Sequence, residues 1–334
     1  MNRKRLSDYG IRVGCMPTGP LDKITDVPGV TVGHATVRDA RHHTGVTVIM
    51  PCEDNMFAKK LTAASFVLNG FGKTAGLVQV DELGTLETPI ALTNTLNVGL
   101  VHDALVTVMA ERCAADHVAM HSINPVVGEC NDSQLNAIVD RPIHEAHVRE
   151  AIAGACRDFD EGDVGAGAGT VCHGLKGGIG SASRVVELDG KNYTIGSLVL
   201  SNHAMFDDLI VGGTPIQQLL EAHIPPHEDK GSIITVLATD IPLSERQLRR
   251  LCHRALVGLS RTGSYCGNGS GEIVLAFTTA NRMPHYADKA LLPMTMLHDD
   301  AINPLFRAVA ECVEESVLSS LFHAETVTGY HGKT

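Results

Sequence analysis

Tryptophan is absent from this 334-residue chain, and aromatic residues make up only 4% of it. A core poor in large rings has to be filled by small and β-branched side chains packed closely, and the 33 glycines agree with that expectation. Basic residues are in deficit: 27 Lys and Arg face 38 Asp and Glu, a formal charge of −11. With no basic excess to neutralise phosphates, nucleic acid is excluded as the main partner. The one basic cluster, Arg246 to Arg254, falls on a predicted helix as its solvated face. No apolar run approaches the ~20 residues that a membrane helix needs. The basic residues at the N-terminus lead into no apolar segment, so no signal peptide is read there. Cys-x-x-Cys does not occur, and the nine cysteines are an odd number scattered along the chain. Reduced thiols in a cytoplasmic protein fit this better than a disulfide framework.

Several catalytic signatures are missing too. There is no His-Glu-x-x-His, and seventeen histidines generate pairs such as His42-His43 and His144/His147 by chance, so no metal is expected. No Gly-x-Ser-x-Gly elbow is present. The glycine-rich zone 161–184 matches neither Gly-x-x-x-x-Gly-Lys-Ser/Thr nor a strand–Gly-x-Gly-x-x-Gly–helix unit. Close backbone packing explains such a stretch better than a phosphate cradle.

What remains is a chain of ordinary globular balance, 44% hydrophobic and 19% charged. Strands are predicted at 24–34 after the Pro28-Gly29 turn, at Gly45–Met50, Leu77–Val80, Ile90–Thr93, Thr194–Ser201 and Ile233–Thr239. Val118–His121 and Pro125–Val127 read as short extended pieces, and Lys59–Leu68 is undecided between helix and strand. Helical spacing runs over Val98–Cys113 and His144–Arg157. Ser244-Glu-Arg-Gln is a capping box opening a further helix, and Asn303-Pro304 is an N-cap followed by proline at the first helical position. Asp207–Asp229, with Pro225-Pro226, reads as an exposed excursion. Strands interleaved with helices, without a linker or repeat, predict one α/β (α+β) domain over 1–334.

The stretch Arg261–Thr279 concentrates the candidate chemistry. A helix leads into a hinge holding Gly263, Gly267, Gly269 and Gly271, and an apolar, β-prone strand follows. Ser270 stands at the mouth of that strand between two glycines, where its hydroxyl is unshielded. By composition alone the hinge is a polar loop. Cys266 lies in the same hinge and keeps open a thiol nucleophile, although a lone Cys is usually a small buried hydrophobe.

Separated segments, in order, resemble the DmpA family of self-processing aminopeptidases, which includes L-aminopeptidase/D-esterases and β-peptidyl aminopeptidases. They are Ile24–His34, Gly45–Pro51, Pro89–Gly99, Pro125–Asn136, Glu161–Arg184, Ile195–Asn202, Gly267–Thr279 and Asn303–Gly332. The resemblance implies a layered αββα sandwich like that of N-terminal-nucleophile hydrolases with different connectivity. It implies self-cleavage between Gly269 and Ser270 into fragments 1–269 and 270–334, with Ser270 as nucleophile. Asn202 would stabilise the oxyanion and Glu129 would pair with a substrate's free amino group; Asn131 stands where some members carry a tyrosine. Glu315 matches the supporting carboxylate, whereas Val313 lacks the hydroxyl found there in the family, a role left to Ser264 or Ser316. The implied substrates are short peptides, amides or esters with a free amino group. No cofactor is implied, and a homo-oligomer, tetramer or octamer, is. Chemically this is coherent: a serine needs a base, and a freed α-amino group of pKa ~7.7–8.0 supplies one on the same residue. Two other readings stay open at this point, a non-catalytic binding or scaffold protein on the same fold and a thiol hydrolase using Cys266.

Overall fold

The computed structural model describes residues 5–219 and 230–334. Its strands, in chain order, are β1 (Thr31–Arg38), β2 (His43–Met50), β3 (Lys59–Gly70), β4 (Thr85–Leu86), β5 (Ile90–Asn94), β6 (Val126–Cys130), β7 (Val171–Cys172), β8 (Leu175–Lys176), β9 (Gly178–Leu188), β10 (Lys191–Asn202), β11 (Ile210–Val211), β12 (Thr214–Pro215), β13 (Ser232–Thr239) and β14 (Gly271–Pro284). The α-helices are α1 (Leu77–Leu83), α2 (Val98–Ala115), α3 (Glu145–Ala153), α4 (Glu245–Arg261) and α5 (Asn303–Phe322). One sheet has the order β1-β2-β5-β6 and the other β4-β3-β14-β13-β10-β9. No helix among the described residues is long and apolar enough to cross a membrane.

Period-two alternation builds the layers. Leu198, Leu200, Ile234, Val236, Ile273 and Leu275 of the larger sheet meet Val32, Ile90, Leu92 and Val126 of the smaller one. The alternate residues Ile195, Val199, Ile233, Leu237 and Val274 turn outward under α4 and α5. Val46, Val48, Ala91 and Val127 face α2 and α3 in the same way. Both sheets are thus buried on both faces, giving the αββα sandwich. With few rings available, the layers come within backbone contact. A Cβ on Gly180 of β9 would lie 1.9 Å from the Ser316 carbonyl oxygen of α5, so only glycine lets this helix seat.

Several boundaries differ from the sequence reading. Leu77–Val80 begins a helix, not a strand: Gly76 and Gly84 bracket it in left-handed conformations, and only Val80 is buried. A four-residue stretch, three apolar residues around Gln79, carries no period that separates the two. Lys59–Leu68 resolves as β3, and Val118–His121 forms no strand. The helix expected to Arg157 stops at Ala153, because Cys156 exchanges backbone hydrogen bonds with Val32 of β1. The Ser244 capping box is present as expected. Asn303 is the first helical residue and Ile302 the cap, one position earlier than read. In the expected excursion, β11 and β12 pair as a short hairpin, and 220–229 lie outside the described residues.

One buried charge cluster ties α5 to β9. Arg184 is fully buried and meets Glu311 at 3.1 Å, Glu315 at 2.5 Å and Asp22 at 3.5 Å. Removing one member of a buried pair strands the others, typically at ~3–5 kcal/mol. Arg184→Met should therefore lower the unfolding free energy by about that amount, read from guanidinium titration. An unchanged midpoint would show that these carboxylates do not depend on the guanidinium.

Candidate active site

Three strand ends form the site. The register sets Asn202 of β10 opposite Ser232 of β13, and Ser232 opposite Gly271 of β14. At ~4.8 Å per strand, Asn202 and Gly271 stand roughly 10 Å apart across the row. The gap is narrowed by Gly231, where a Cβ would lie 1.8 Å from the Asn202 carbonyl oxygen. The Gly231 carbonyl in turn accepts the Gly271 N–H at 3.2 Å.

Ser270 leads into β14. It is fully buried, and its Oγ has no hydrogen-bond partner among the described residues. Its N–H donates to the Gly267 carbonyl at 2.9 Å, closing a tight turn. The side-chain amide of Asn69, near the end of β3, donates into this turn. Its Nδ2 reaches the carbonyl oxygens of Gly267 at 2.9 Å, Asn268 at 3.2 Å and Ser270. One amide thus grips the chain on both sides of the Gly269–Ser270 bond. Sequence reasoning missed Asn69, because Asn69-Gly70 at a strand end looks like any turn pair. Upstream, the Ser264 hydroxyl is buried and accepts the Cys266 N–H at 3.4 Å. Cys266 holds φ +57, a left-handed conformation unusual for a residue with a Cβ.

Glu129 reaches the same rim from the smaller sheet. It is buried near the end of β6, where its Oε1 accepts the Lys73 N–H at 3.0 Å and its Oε2 accepts the Thr95 hydroxyl. The link to Ser270 is short. The Phe71 carbonyl lies over Gly271, where a Cβ would come within 2.4 Å of it, and Lys73 two residues on holds Glu129. Next to Glu129, the Cys130 thiol lies 3.4 Å from the Leu200 carbonyl and 3.3 Å from that of Ser232, joining β6 to β10 and β13. Alternation from Leu198 and Leu200 turns Asn202 toward this inter-sheet rim. Its Oδ1 accepts the Val171 N–H at 2.9 Å, which leaves Nδ2 to donate.

Glu315 and Ser316, expected beside the nucleophile, are not brought to it. Along α5, Cys312 bonds the Ile195 carbonyl, Ser316 the Ser197 carbonyl and Ser320 the Ser201 hydroxyl. Ser316 therefore sits five residues down β10 from Asn202, about 16 Å at ~3.3 Å per residue. Glu315 is held by Arg184, whose strand partner is Ile195. Burial and the Asp22 charge push its carboxyl up to about 7 against the pull of Arg184. Val313 packs under Gly258 of α4 in the apolar layer. The carboxylate that does lie close to Ser270 in the chain is Glu272, fully buried on β14 and missed in the sequence reading.

A cleft of about 870 Å³ is lined by Arg5, Arg12, Arg184 and Glu315 among others, and by none of Ser270, Asn202 or Glu129. The glycine-rich zone is a packing unit in which Lys176 is consumed internally. Lys176 Nζ donates to the carbonyls of Gly167, Thr170 and Gly177 at 2.7, 2.9 and 2.7 Å, and burial pulls its pKa down to about 7.

Comparison with known proteins places the family and the fold. The model of peptidase family S58 matches residues 22–334. The β-peptidyl aminopeptidase BapA of Sphingosinicella xenopeptidilytica is 36% identical, over 97% of this chain and 86% of its own. Among solved structures, the PH0078 protein from Pyrococcus horikoshii OT3 superposes with a TM-score of 0.93 at 46% identity, covering 99% of this chain and 94% of that one. The L-aminopeptidase D-Ala-esterase/amidase from Ochrobactrum anthropi, a prototype for the serine aminopeptidases and a variant of the Ntn hydrolase fold, gives 0.91 at 37% identity, covering 96% and 91%. The sandwich is thus of the Ntn-hydrolase kind, and the hydrolase reading stands above the scaffold and Cys266 alternatives. With the match running over nearly its whole length, the chain belongs to peptidase family S58.

Proposed function

We propose that the chain is a self-processing serine aminopeptidase/amidase that cuts its own Gly269–Ser270 bond and then removes N-terminal residues from short peptides, amides or esters. The observation that carries this reading is the Ser270 hydroxyl, buried without a hydrogen-bond partner in a turn gripped by Asn69. Leaving a buried hydroxyl unpaired costs ~1–3 kcal/mol, and such groups call for an explanation in chemistry. In the cut, Oγ attacks the Gly269 carbonyl carbon and displaces the Ser270 nitrogen, giving an ester. Water then cleaves the ester, leaving the Gly269 carboxylate on 1–269 and a free α-amino group on 270–334.

That amino group is the base for turnover. It takes the hydroxyl proton as Oγ attacks the substrate carbonyl, and it returns the proton to the leaving amine. Asn202 Nδ2 donates to the developing oxyanion. Glu129 receives the substrate ammonium through a charge-assisted hydrogen bond, its carboxylate already oriented by Lys73 and Thr95. Glu272, two residues from the new terminus, is the buried carboxylate set to accompany it, and Glu315 has no part. The relatives' names support a substrate with a free amino group. Processed units assemble in this reading as a cytoplasmic homo-oligomer, a tetramer or octamer. The nine free cysteines support a reducing compartment.

Ser270→Ala should give a single uncut band on a denaturing gel and no hydrolysis; a variant that still splits would sink the proposal. Asn202→Ala should keep the fold and lose roughly 10²–10³-fold in kcat, the usual loss for one oxyanion donor. An unchanged kcat would return Asn202 to a purely structural position. Glu129→Gln should raise KM steeply for aminoacyl p-nitroanilides while sparing self-cleavage, since the Gly269–Ser270 bond presents no ammonium. The parent should turn over N-acetylated substrates poorly. Equal turnover of free and acetylated forms would replace the aminopeptidase with a general amidase or esterase.

A further inference from the structure

A second cluster lies directly behind Asn202. Cys172 ends β7, His173-Gly174 turns the chain into β8, and His203 follows β10. His173 and Gly174 hold φ +50 and +69, so the link is a two-residue hairpin with both residues left-handed. Asn-Gly is the ordinary choice for such a turn. All three side chains are buried, at 0%, 0% and 2% exposure. The Cys172 thiol lies 3.7 Å from His203 Nδ1, across 31 residues of chain. The two imidazole centroids are 5.7 Å apart, and the His173 N–H donates to the His203 carbonyl at 2.8 Å. One ligand atom from each residue falls within 4.8 Å of the others.

The bonding around the His173 ring is that of a metal ligand. His173 Nδ1 pairs with the Met205 carbonyl at 2.9 Å, so Nδ1 carries the hydrogen and Nε2 the lone pair. A backbone carbonyl fixing the far nitrogen is the arrangement that orients metal-bound histidines. His203 turns Nδ1 toward the Cys172 thiol, which makes Nδ1 its candidate ligand atom.

We propose that Cys172, His173 and His203 hold a thiophilic divalent cation of the zinc class, with a fourth position open. One sulfur and two nitrogens suit zinc, whose bonds of ~2.0–2.3 Å set tetrahedral ligand atoms roughly 3.3–3.7 Å apart. The thiol–imidazole distance already has that value, and side-chain rotation closes the rest. Binding releases the thiol proton to solvent and leaves a zinc thiolate. The ion would act on its neighbour. Asn202 precedes His203, and its Oδ1 holds the N–H of Val171, which precedes Cys172. A cation bound by Cys172 and His203 therefore pins both ends of that hydrogen bond and makes these ligands positioning residues for Asn202. Linear motifs could not show this, because the two halves of the site lie on separate ribbons.

The test uses the full chain, stripped of metal and titrated with Co²⁺ alone and Zn²⁺ alone. One Co²⁺ per chain should bind with a thiolate-to-cobalt charge-transfer band that one equivalent of Zn²⁺ abolishes, and zinc should raise the melting temperature. His173→Asn keeps a side chain suited to the turn, and should weaken zinc binding by at least ~100-fold, since losing even an orienting partner costs ~10–100-fold. Cys172→Ser should remove the band. If Cys172→Ser does not fold, the His173→Asn titration decides. No thiolate band in the parent, or a band that survives unchanged in His173→Asn, would overturn the assignment. Each readout is metal binding, so none depends on hydrolytic activity.

Discussion

β14 lies parallel to β13, while the other neighbours in the larger sheet are antiparallel. A hairpin cannot join parallel neighbours, so the chain must travel back the length of the sheet before β14 begins. α4 makes that return, with its apolar stripe of Leu248, Leu251, Ala255 and Leu259 pressed on the sheet. The consequence is positional. The hinge after α4 arrives at the end where β10 finishes and β13 starts, so Ser270 meets the row that holds Asn202. A hairpin from β13 would have delivered the same sequence to the opposite end. The chemistry thus rests on a topological constraint that α4 satisfies.

The sandwich supplies the second partner. Ser270 and Asn202 belong to one sheet and Glu129 to the other, and the sheets register because small groups let them approach. At Gly128, a Cβ would press to 3.0 Å on both Ile234 and Leu92. Next to Glu129, the Cys130 thiol rests on the carbonyls of Leu200 and Ser232. The carboxylate is therefore carried to the rim by packing, and only its final orientation is set by hydrogen bonds. This ordering suits a binding group, since a side chain fixed by two donors loses little freedom when a ligand arrives.

Sequence patterns made the central strands, α2, α4 and α5 legible, because long periods and end signals leave little choice there. The capping box at Ser244 is the clearest instance. Short elements were not legible: the four residues Leu77–Val80 carry no period, and their helical fate was decided by flanking left-handed glycines. For the site, Ser270, Asn202 and Glu129 are named only through the resemblance, and the fold sets Asn202 and the residue after Ser270 on one row of strand ends. Asn69 and Glu272 were not found. Neither has a distinctive sequence context; one is an Asn in a turn-like pair, the other a single acid opening a strand. Glu315 was misplaced because residue spacing says nothing about the level at which a helix seats. That level is set by α5 against β10 and by Arg184, which draws Glu311 and Glu315 to the other end of the layer.

In the proposed reading, the buried hydroxyl of Ser270 also bears on how an uncut chain would differ from a working enzyme. In the intact turn, Asn69 grips carbonyls on both sides of the 269–270 bond, and Phe71 closes over Gly271. No substrate carbonyl can reach an Oγ enclosed in this way, so the carbonyl within its covalent reach is that of Gly269. Hydrolysis of that bond would remove the upstream half of the turn from the Asn69 grip and leave Ser270 as a chain end. The end would carry an amine where a peptide nitrogen had been. The same contacts that shut the site would thus bias the first reaction toward self-cleavage, and their release would open the rim between Asn202 and Glu129 to a peptide terminus. In that reading, specificity for a free amino group would follow from the burial of Glu129: a buried carboxylate favours a substrate that brings a compensating charge over a neutral one that leaves the anion uncompensated.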